Sequence, residues 1–290
     1  MTHKRPSEAL LSTMQAEHGE WRPLLSLVEV ALGEMERPVW SEAIPPRNHA
    51  NVTGQPLLSG AIIRIAPGPV RRWVHHALMI ATDGASGRPR MDPSALDTLA
   101  IFEAALAQDV ERLGELARTA GCDEGLVRTL GSIVAMPMLH ACRRAWAHLV
   151  SPEWAEGYCP ICGDWPALAE IRGLDSQRRL RCGRCGDDWG TEWLRCPFCG
   201  ERGHEHLGSL VSEGGEPRTV EVCEQCRHYV KSLTVLAPIR PELTLLRDLD
   251  TLVLDITALE RGYGRPPAPR QRVEVRAKVS RLRALFQTTG

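Results

Sequence analysis

The chain has 290 residues, enough for a sizeable buried core, and its 43% hydrophobic and 24% charged residues exclude intrinsic disorder. Its 35 Lys and Arg against 36 Asp and Glu leave a net charge of −1, which argues against a globally basic nucleic-acid or membrane-surface protein. No apolar run reaches the roughly 18 to 20 residues that cross a bilayer, so no integral membrane segment is expected. The start, with Glu8, Glu17 and Glu20, lacks the apolar centre of a secretory signal, and a cytoplasmic location is expected.

Residues 1–156 read as a helical domain, because apolar residues recur at three- and four-residue steps. Short helices are predicted near 7–17, 23–36 and 70–82. Between them, 38–69 hold Pro38, Pro45, Pro46, Pro56, Pro67 and Pro69 and read as a wrapped loop, in which Asn51-Val52-Thr53 is a chance glycosylation sequon. Asp92-Pro93 is an N-cap with proline at the first helical position, and Leu96, Leu99, Phe102, Leu106, Val110 and Leu113 then keep one face apolar as far as Gly121. A further helix after Asp123 carries Leu126, Leu130, Ile133, Val134, Met138, Cys142, Trp146 and Leu149; Pro137 removes one backbone donor and is expected to kink it. Cys122 and Cys142 read as buried apolar residues on these helices.

From 157 to 236 the texture changes to short alternating segments bounded by Gly and Cys. Eight of the ten cysteines fall here in four Cys-x-x-Cys pairs: Cys159/Cys162, Cys182/Cys185, Cys196/Cys199 and Cys223/Cys226. Two residues between thiols let both sulfurs of a tight turn face one ion, and two such turns complete a tetrahedral shell. The halves are copies. Cys159-Pro-Ile-Cys-Gly163 matches Cys196-Pro-Phe-Cys-Gly200, and each is followed by an alternating segment (167–171; 207–211), a turn and a returning strand (179–181; 220–222) into the second pair. A third strand follows, with Trp189 and Trp193 in one copy and Tyr229, Lys231 and Leu233 in the other. The prediction is two successive three-stranded metal ribbons, 157–195 and 196–236. Interleaved pairing, first with third and second with fourth, stays open. Gly163 and Gly200 suit the tight turn after each first pair.

Structural disulfides are disfavoured without a signal peptide, and thioredoxin-type chemistry needs a strand-to-helix setting that is missing here. Four-sulfur geometry suits zinc and also a single iron. Eight thiolates saturate two ions and leave no open position for metal hydrolysis, His204, His206 and His228 are not needed as ligands, and no catalytic grouping stands out, so the chain reads as a non-enzyme. Arg178, Arg179, Arg181 and Arg184 invite a zinc-ribbon nucleic-acid-binding reading as the alternative. Residues 157–236, however, hold 10 Lys and Arg against 12 Asp and Glu, and two divalent ions in eight thiolates bring the module to −6, so no nucleic-acid partner is expected and the arginines read as a solvated strand edge.

Residues 237–263 form a predicted C-terminal helix opened by Pro238 to Pro241, carrying Leu245, Leu249, Leu252, Val253, Ile256 and Leu259 and closed by Gly262 and Gly264. Asp248, Asp250 and Asp255 read as its solvated surface. The tail, 264–290, has seven Lys and Arg against one Glu, and Val275, Val279 and Leu282 at helical steps suggest a short basic amphipathic helix. The fold class is therefore α+β: a helical N-terminal domain, two tandem rubredoxin-like or zinc-ribbon modules and a C-terminal helix.

The runs Tyr158 to Pro166, Leu180 to Cys185, Arg195 to Gly200 and Cys223 to Lys231, with Asp248 to Ile256 and Gly262-Tyr263 downstream, resemble the FdhE proteins, accessory factors of bacterial respiratory formate dehydrogenases. The resemblance covers about residues 157–263. The helical first half agrees only in general character and length, and the basic tail departs from it. It implies a cytosolic, non-catalytic maturation factor that binds the catalytic subunit of formate dehydrogenase. It also implies that Cys159, Cys162, Cys182, Cys185, Cys196, Cys199, Cys223 and Cys226 ligate two metal ions, with iron favoured and zinc the other candidate.

Overall fold

The computed structural model describes residues 6–47, 54–82, 95–211 and 218–278 and is an α+β fold. The chain passes back and forth between two compact units. One draws on Glu17–Arg47, Leu58–Ala145 and the chain from Arg270; the other draws on the first 16 residues, Asn48–Leu57 and Trp146–Pro269.

After α1 (Pro6–Glu17), the helical unit contains α2 (Arg22–Glu34), α3 (Pro38–Glu42), β1 (Ala61–Ile65), α4 (Pro67–Thr82), α5 (Thr98–Ala107), α6 (Val110–Thr119) and α7 (Glu124–Trp146). The wrapped loop expected over 38–69 is corrected by α3 and β1. Pro38 stands at the start of α3, where a missing N–H costs nothing, and Ala61-Ile-Ile-Arg-Ile65 is a β-branched run between the prolines. The sequon at Asn51 and the Asp92-Pro93 start lie outside the described residues. The single helix expected up to Gly121 is two helices. Gln108 ends α5 in the left-handed region at φ 58°, and Asp109 caps α6 by accepting from Arg112 N at 3.1 Å. Asp97 caps α5 in the same way. Cys142 is buried on α7, as expected, but Cys122 sits in the turn before it and is only partly buried.

The stretch Glu124–Leu149 is long and apolar enough to cross a membrane by length and composition, although Arg128, Arg143 and Arg144 interrupt it and 72% of its apolar window is buried in the fold. Trp73 Nε1 donates to the Val134 carbonyl at 2.9 Å, anchoring α4 to this helix.

The second unit is built on a six-stranded sheet. Its strands are β2 (Pro166–Arg172), β3 (Gln177–Cys182), β4 (Asp188–Gly190), β5 (Leu207–Val211), β6 (Arg218–Cys223) and β7 (Tyr229–Val235), in the order β4-β3-β2-β7-β6-β5. Each half is an antiparallel ribbon of three, as the repeat predicts. The first strand of one copy then pairs in parallel with the last strand of the other, from Leu168↔Lys231 to Arg172↔Val235, making one sheet of two ribbons. Trp189 is buried on β4, but Trp193 lies beyond it and is exposed.

The C-terminal helix is broken at Asp250-Thr251 into α8 (Thr244–Leu249) and α9 (Leu252–Glu260). Leu254 and Ala258 of α9 pack with Tyr263 on Val220, Val222 and Tyr229 of the sheet. Burial of such side chains contributes about 1.5–3 kcal/mol each. The tail then corrects the expectation of a helix: Val273–Ala277 forms β8, parallel to β1 from Ala61↔Val273 to Ile65↔Ala277. Val-Glu-Val-Arg-Ala alternates with period two, and β1 offers an open edge, so strand pairing satisfies the backbone that a lone helix would leave to water. Residues 279–290, which carry the rest of the helical pattern, lie outside the described residues.

Candidate metal centres

All four Cys-x-x-Cys turns fold alike. The N–H of the first cysteine donates to the carbonyl five residues on, at 2.8 Å from Cys159 to Asp164, 2.9 Å from Cys182 to Asp187, 2.8 Å from Cys196 to Glu201 and 3.0 Å from Cys223 to His228. The residue after each second cysteine returns its N–H to the first cysteine's carbonyl at 2.9–3.1 Å. That residue takes a positive φ: 78° at Gly163, 72° at Gly186, 80° at Gly200 and 59° at Arg227. Glycine accepts this conformation freely, whereas arginine pays about 1–2 kcal/mol. The Gly186 and Arg227 turns escaped the sequence reading, although Gly186 follows its pair just as Gly163 does.

The turns bring the cysteines together in sequential pairs. Cys159, Cys162, Cys182 and Cys185 form one quartet and Cys196, Cys199, Cys223 and Cys226 the other, with the sulfurs of each within 4.8 Å of one another, which resolves the interleaved alternative. In the first, Sγ atoms of Cys159 and Cys185, and of Cys162 and Cys182, are 3.4 Å apart; in the second, Cys196 to Cys226 and Cys199 to Cys223 are 3.7 Å apart. A tetrahedral ion with about 2.3 Å metal–sulfur bonds has edges of about 3.8 Å, so both quartets fit such an ion closely. Among the described residues no histidine joins either group.

Electrostatics point the same way. Burial pushes the Cys159 and Cys185 thiols well above their ordinary range, while at Cys162 hydrogen bonds from the other three sulfurs overcome burial and hold it well below. In the second quartet burial raises Cys196 to about 12, whereas at Cys199 it is outweighed by the Glu201 N–H and the neighbouring thiols. Four such thiols do not ionise together without a cation to share their charge.

The quartets differ in exposure. Every sulfur-bearing residue of the first is 0% exposed. In the second, Cys196 and Cys223 are buried, Cys226 is half-buried and Cys199 is exposed. The first is enclosed by its own unit: Leu57 N donates to the Pro160 carbonyl at 2.8 Å, Tyr158 Oη to Gly54 at 2.9 Å and Trp189 Nε1 to Glu156 at 3.1 Å. Gly157 approaches Pro197 so closely that a Cβ there would overlap the Pro197 carbonyl oxygen.

Of the arginines expected at a solvated edge, Arg178, Arg181 and Arg184 are buried and Arg179 is half-buried. Arg181 is 1% exposed and its Nε meets Glu170 at 2.5 Å; Arg172 meets the same carboxylate at 2.7 Å and Arg178 meets Glu221 at 2.6 Å. Arg184 is buried as well, and Arg179 pairs with Asp188 at 2.5 Å. The acidic residues of the C-terminal helices are likewise used internally. Lys231, 0% exposed, donates to Asp248 at 2.7 Å and Asp255 at 2.6 Å, and Asp250 pairs with Arg218 and Arg247. Along β7, period-two alternation turns Tyr229 and Lys231 toward these acids.

On the opposite face, Val230, Ser232 and Thr234 help line a groove of about 410 Å³ that ends against Cys196, Cys223, Phe198 and His228. Edge-to-face ring contacts run from Tyr158 through Trp165 and Phe198 to His228, at 5.5–5.8 Å, so the aromatic residues beside the two quartets form one continuous series.

Fold and quartets together define a tandem four-cysteine ribbon protein able to hold two metal ions. Its sequence relatives are FdhE proteins. The chain is 33% identical over 110 residues to "Protein FdhE" of Escherichia coli O127:H6 (strain E2348/69 / EPEC), which is 37% of this chain and 35% of that protein. It is 28% identical over 116 residues to "Protein FdhE homolog" of Aquifex aeolicus (strain VF5), covering 38% of this chain and 40% of that one. The chain thus spans about a third to two fifths of the length of the curated relatives it matches. "The crystal structure of the FdhE protein from Pseudomonas aeruginosa" aligns with a TM-score of 0.47 at 22% identity, covering 90% of this chain and 92% of that one. No family model matches.

Proposed function

We propose that this chain is a cytoplasmic, non-catalytic accessory protein in the maturation of formate dehydrogenase. It binds that enzyme's catalytic subunit and holds two metal ions, iron in preference to zinc. Cys159, Cys162, Cys182 and Cys185 ligate one ion, and Cys196, Cys199, Cys223 and Cys226 the other. The observation that carries the reading is the pair of four-sulfur quartets in a chain whose curated relatives are FdhE proteins. What this chain's residues do at each ion is bind and orient: four thiolates fill a tetrahedral shell, and Asp, Glu and His carbonyls clamp the turns. Bound iron would supply a one-electron couple. Filled shells suit a protein that recognises another protein more than one that turns over a substrate at the metal.

A nucleic-acid role loses its main support, because Arg178, Arg181 and Arg184 are buried and Arg178 and Arg181 are committed to carboxylates. The test is affinity capture of the tagged full chain from its own cells without oxygen, with mass spectrometry of partners and elemental analysis of the same sample. The reading predicts enrichment of a formate dehydrogenase catalytic subunit and about two iron atoms per chain. Recovery of nucleic acid without that subunit refutes it.

A further inference from the structure

We propose that the second quartet is an exchange centre, where a thiol from outside displaces Cys199 from the metal, while the first quartet keeps its ion as a permanent part of the fold. This rests on the reading of both quartets as metal sites.

Ligand exchange at a filled four-sulfur ion requires an incoming sulfur to reach it, and access decides the rate. At the first quartet nothing reaches the ion unless the structure opens. All four cysteines are 0% exposed, and the segment at Gly54–Leu57 is hydrogen-bonded over Tyr158 and Pro160. On another side a Cβ at Gly186 would press on Pro241, 2.6 Å from its carbonyl oxygen, so that segment is packed directly on the turn of Cys182 and Cys185. At the second quartet no opening is needed. Cys199 is exposed and Cys226 half-buried, and the groove lined by Trp193 and Phe198 also has Cys196 and Cys223 in its wall. The two sites share turn hydrogen bonds and ligand type and differ most in exposure.

The step conserves charge and oxidation state. The incoming thiol gives up its proton and its sulfur bonds to the ion. The bond from the ion to Cys199 Sγ breaks with its electron pair staying on that sulfur, and Cys199 leaves as a thiolate that takes up the proton. The ligand class is a soft, compact thiol, either free or on an extended segment of a partner.

The full chain, zinc-loaded and shown by elemental analysis to carry its metal, is mixed with excess dithiothreitol and the chromophoric acceptor 4-(2-pyridylazo)resorcinol. The release should occur in two steps of one equivalent each, the first about tenfold faster or more, because only the second step waits for local opening. Maleimide labelling after rapid desalting to remove the dithiothreitol at the end of the first step should fall on Cys199 and Cys226 and spare Cys159, Cys162, Cys182 and Cys185, as read by peptide mass mapping. Release of both ions in one phase, or early label on the first quartet, overturns the inference; so does a chain that carries no metal at all. Two-step release in a chain that captures no dehydrogenase subunit would sink the maturation reading and leave this one standing.

Discussion

The two ribbons share their turns, their hydrogen bonds and their ligands, yet one quartet is sealed and the other touches solvent. The copies also differ in which strands form the seam. Parallel pairing of β2 with β7 makes the first strand of copy one central in the sheet, while the equivalent strand of copy two, β5, is left at the edge. β2 is buried over most of its length and β5 is largely exposed. A duplicated motif therefore fixes what can be bound, and the segments packed over each copy fix how accessible the bound group is.

The strongest way to break this comparison is to remove one ligand from each copy. Cys159→Ser should cost the first ion and protease resistance across residues 157–195, because a structural four-sulfur site is worth about 10–16 kcal/mol of folding free energy. Cys199→Ser should lower the metal content by one equivalent and leave the sheet resistant to protease. Equal effects of the two on limited proteolysis would refute the asymmetry. Next in size, Gly157→Ala forces a methyl group into the Pro197 carbonyl at the point where the two turns meet. A loss on the order of 3–5 kcal/mol is expected, seen as a fall of roughly 10 °C in the thermal midpoint.

A smaller and more selective effect follows from the ion pairs. Arg181→Met removes one of the two arginines on the buried Glu170 carboxylate, leaving Arg172 in place, and should cost about 1.5–3 kcal/mol, measured by denaturant unfolding. It should also move the acid limit of the fold. Burial tends to raise the Asp188 carboxyl, but Arg181, then Arg179 and Arg172, outweigh it and hold Asp188 below the ordinary carboxylate range. A lowered folded value contributes stability above about pH 4 that is lost as pH falls through it. Removing Arg181 raises that value, so the loss should begin at higher pH; an unchanged acid midpoint would contradict the assignment.

Much of this was legible in the sequence. The cysteine quartets, the repeat and the strands followed from spacing and alternation, which are local. What was missed depends on partners far away in the chain. Arg178 and Arg181 look like a solvated edge until β2 and β4 flank their strand and Glu170 and Glu221 appear opposite. Asp248 and Asp255 look like helix surface until Lys231 is found beneath them. One signal was present but unread: Ala-Leu-Ala-Glu-Ile in β2 is nearly continuous in apolar residues, as for a strand buried on both faces, whereas Leu-Gly-Ser-Leu-Val in β5 is not. The strand at Val273–Ala277 was hidden because Val275 fits a period of two as well as one of three to four, and only the open edge of β1 decides between them.

The parallel seam also imposes an order of events on a chain made from its N-terminus. Each ribbon closes by short antiparallel returns, so the first quartet can assemble once Cys185 has emerged. The seam must instead bring residue 168 to residue 231, and Lys231, buried there, has its carboxylate partners only at residues 248 and 255. Until those residues exist, completing the seam would bury an unpaired ammonium group, so the seam is expected to close only after residue 255 has been made. The interval between the two closures is a window in which each quartet can already close while the two ribbons are not yet joined.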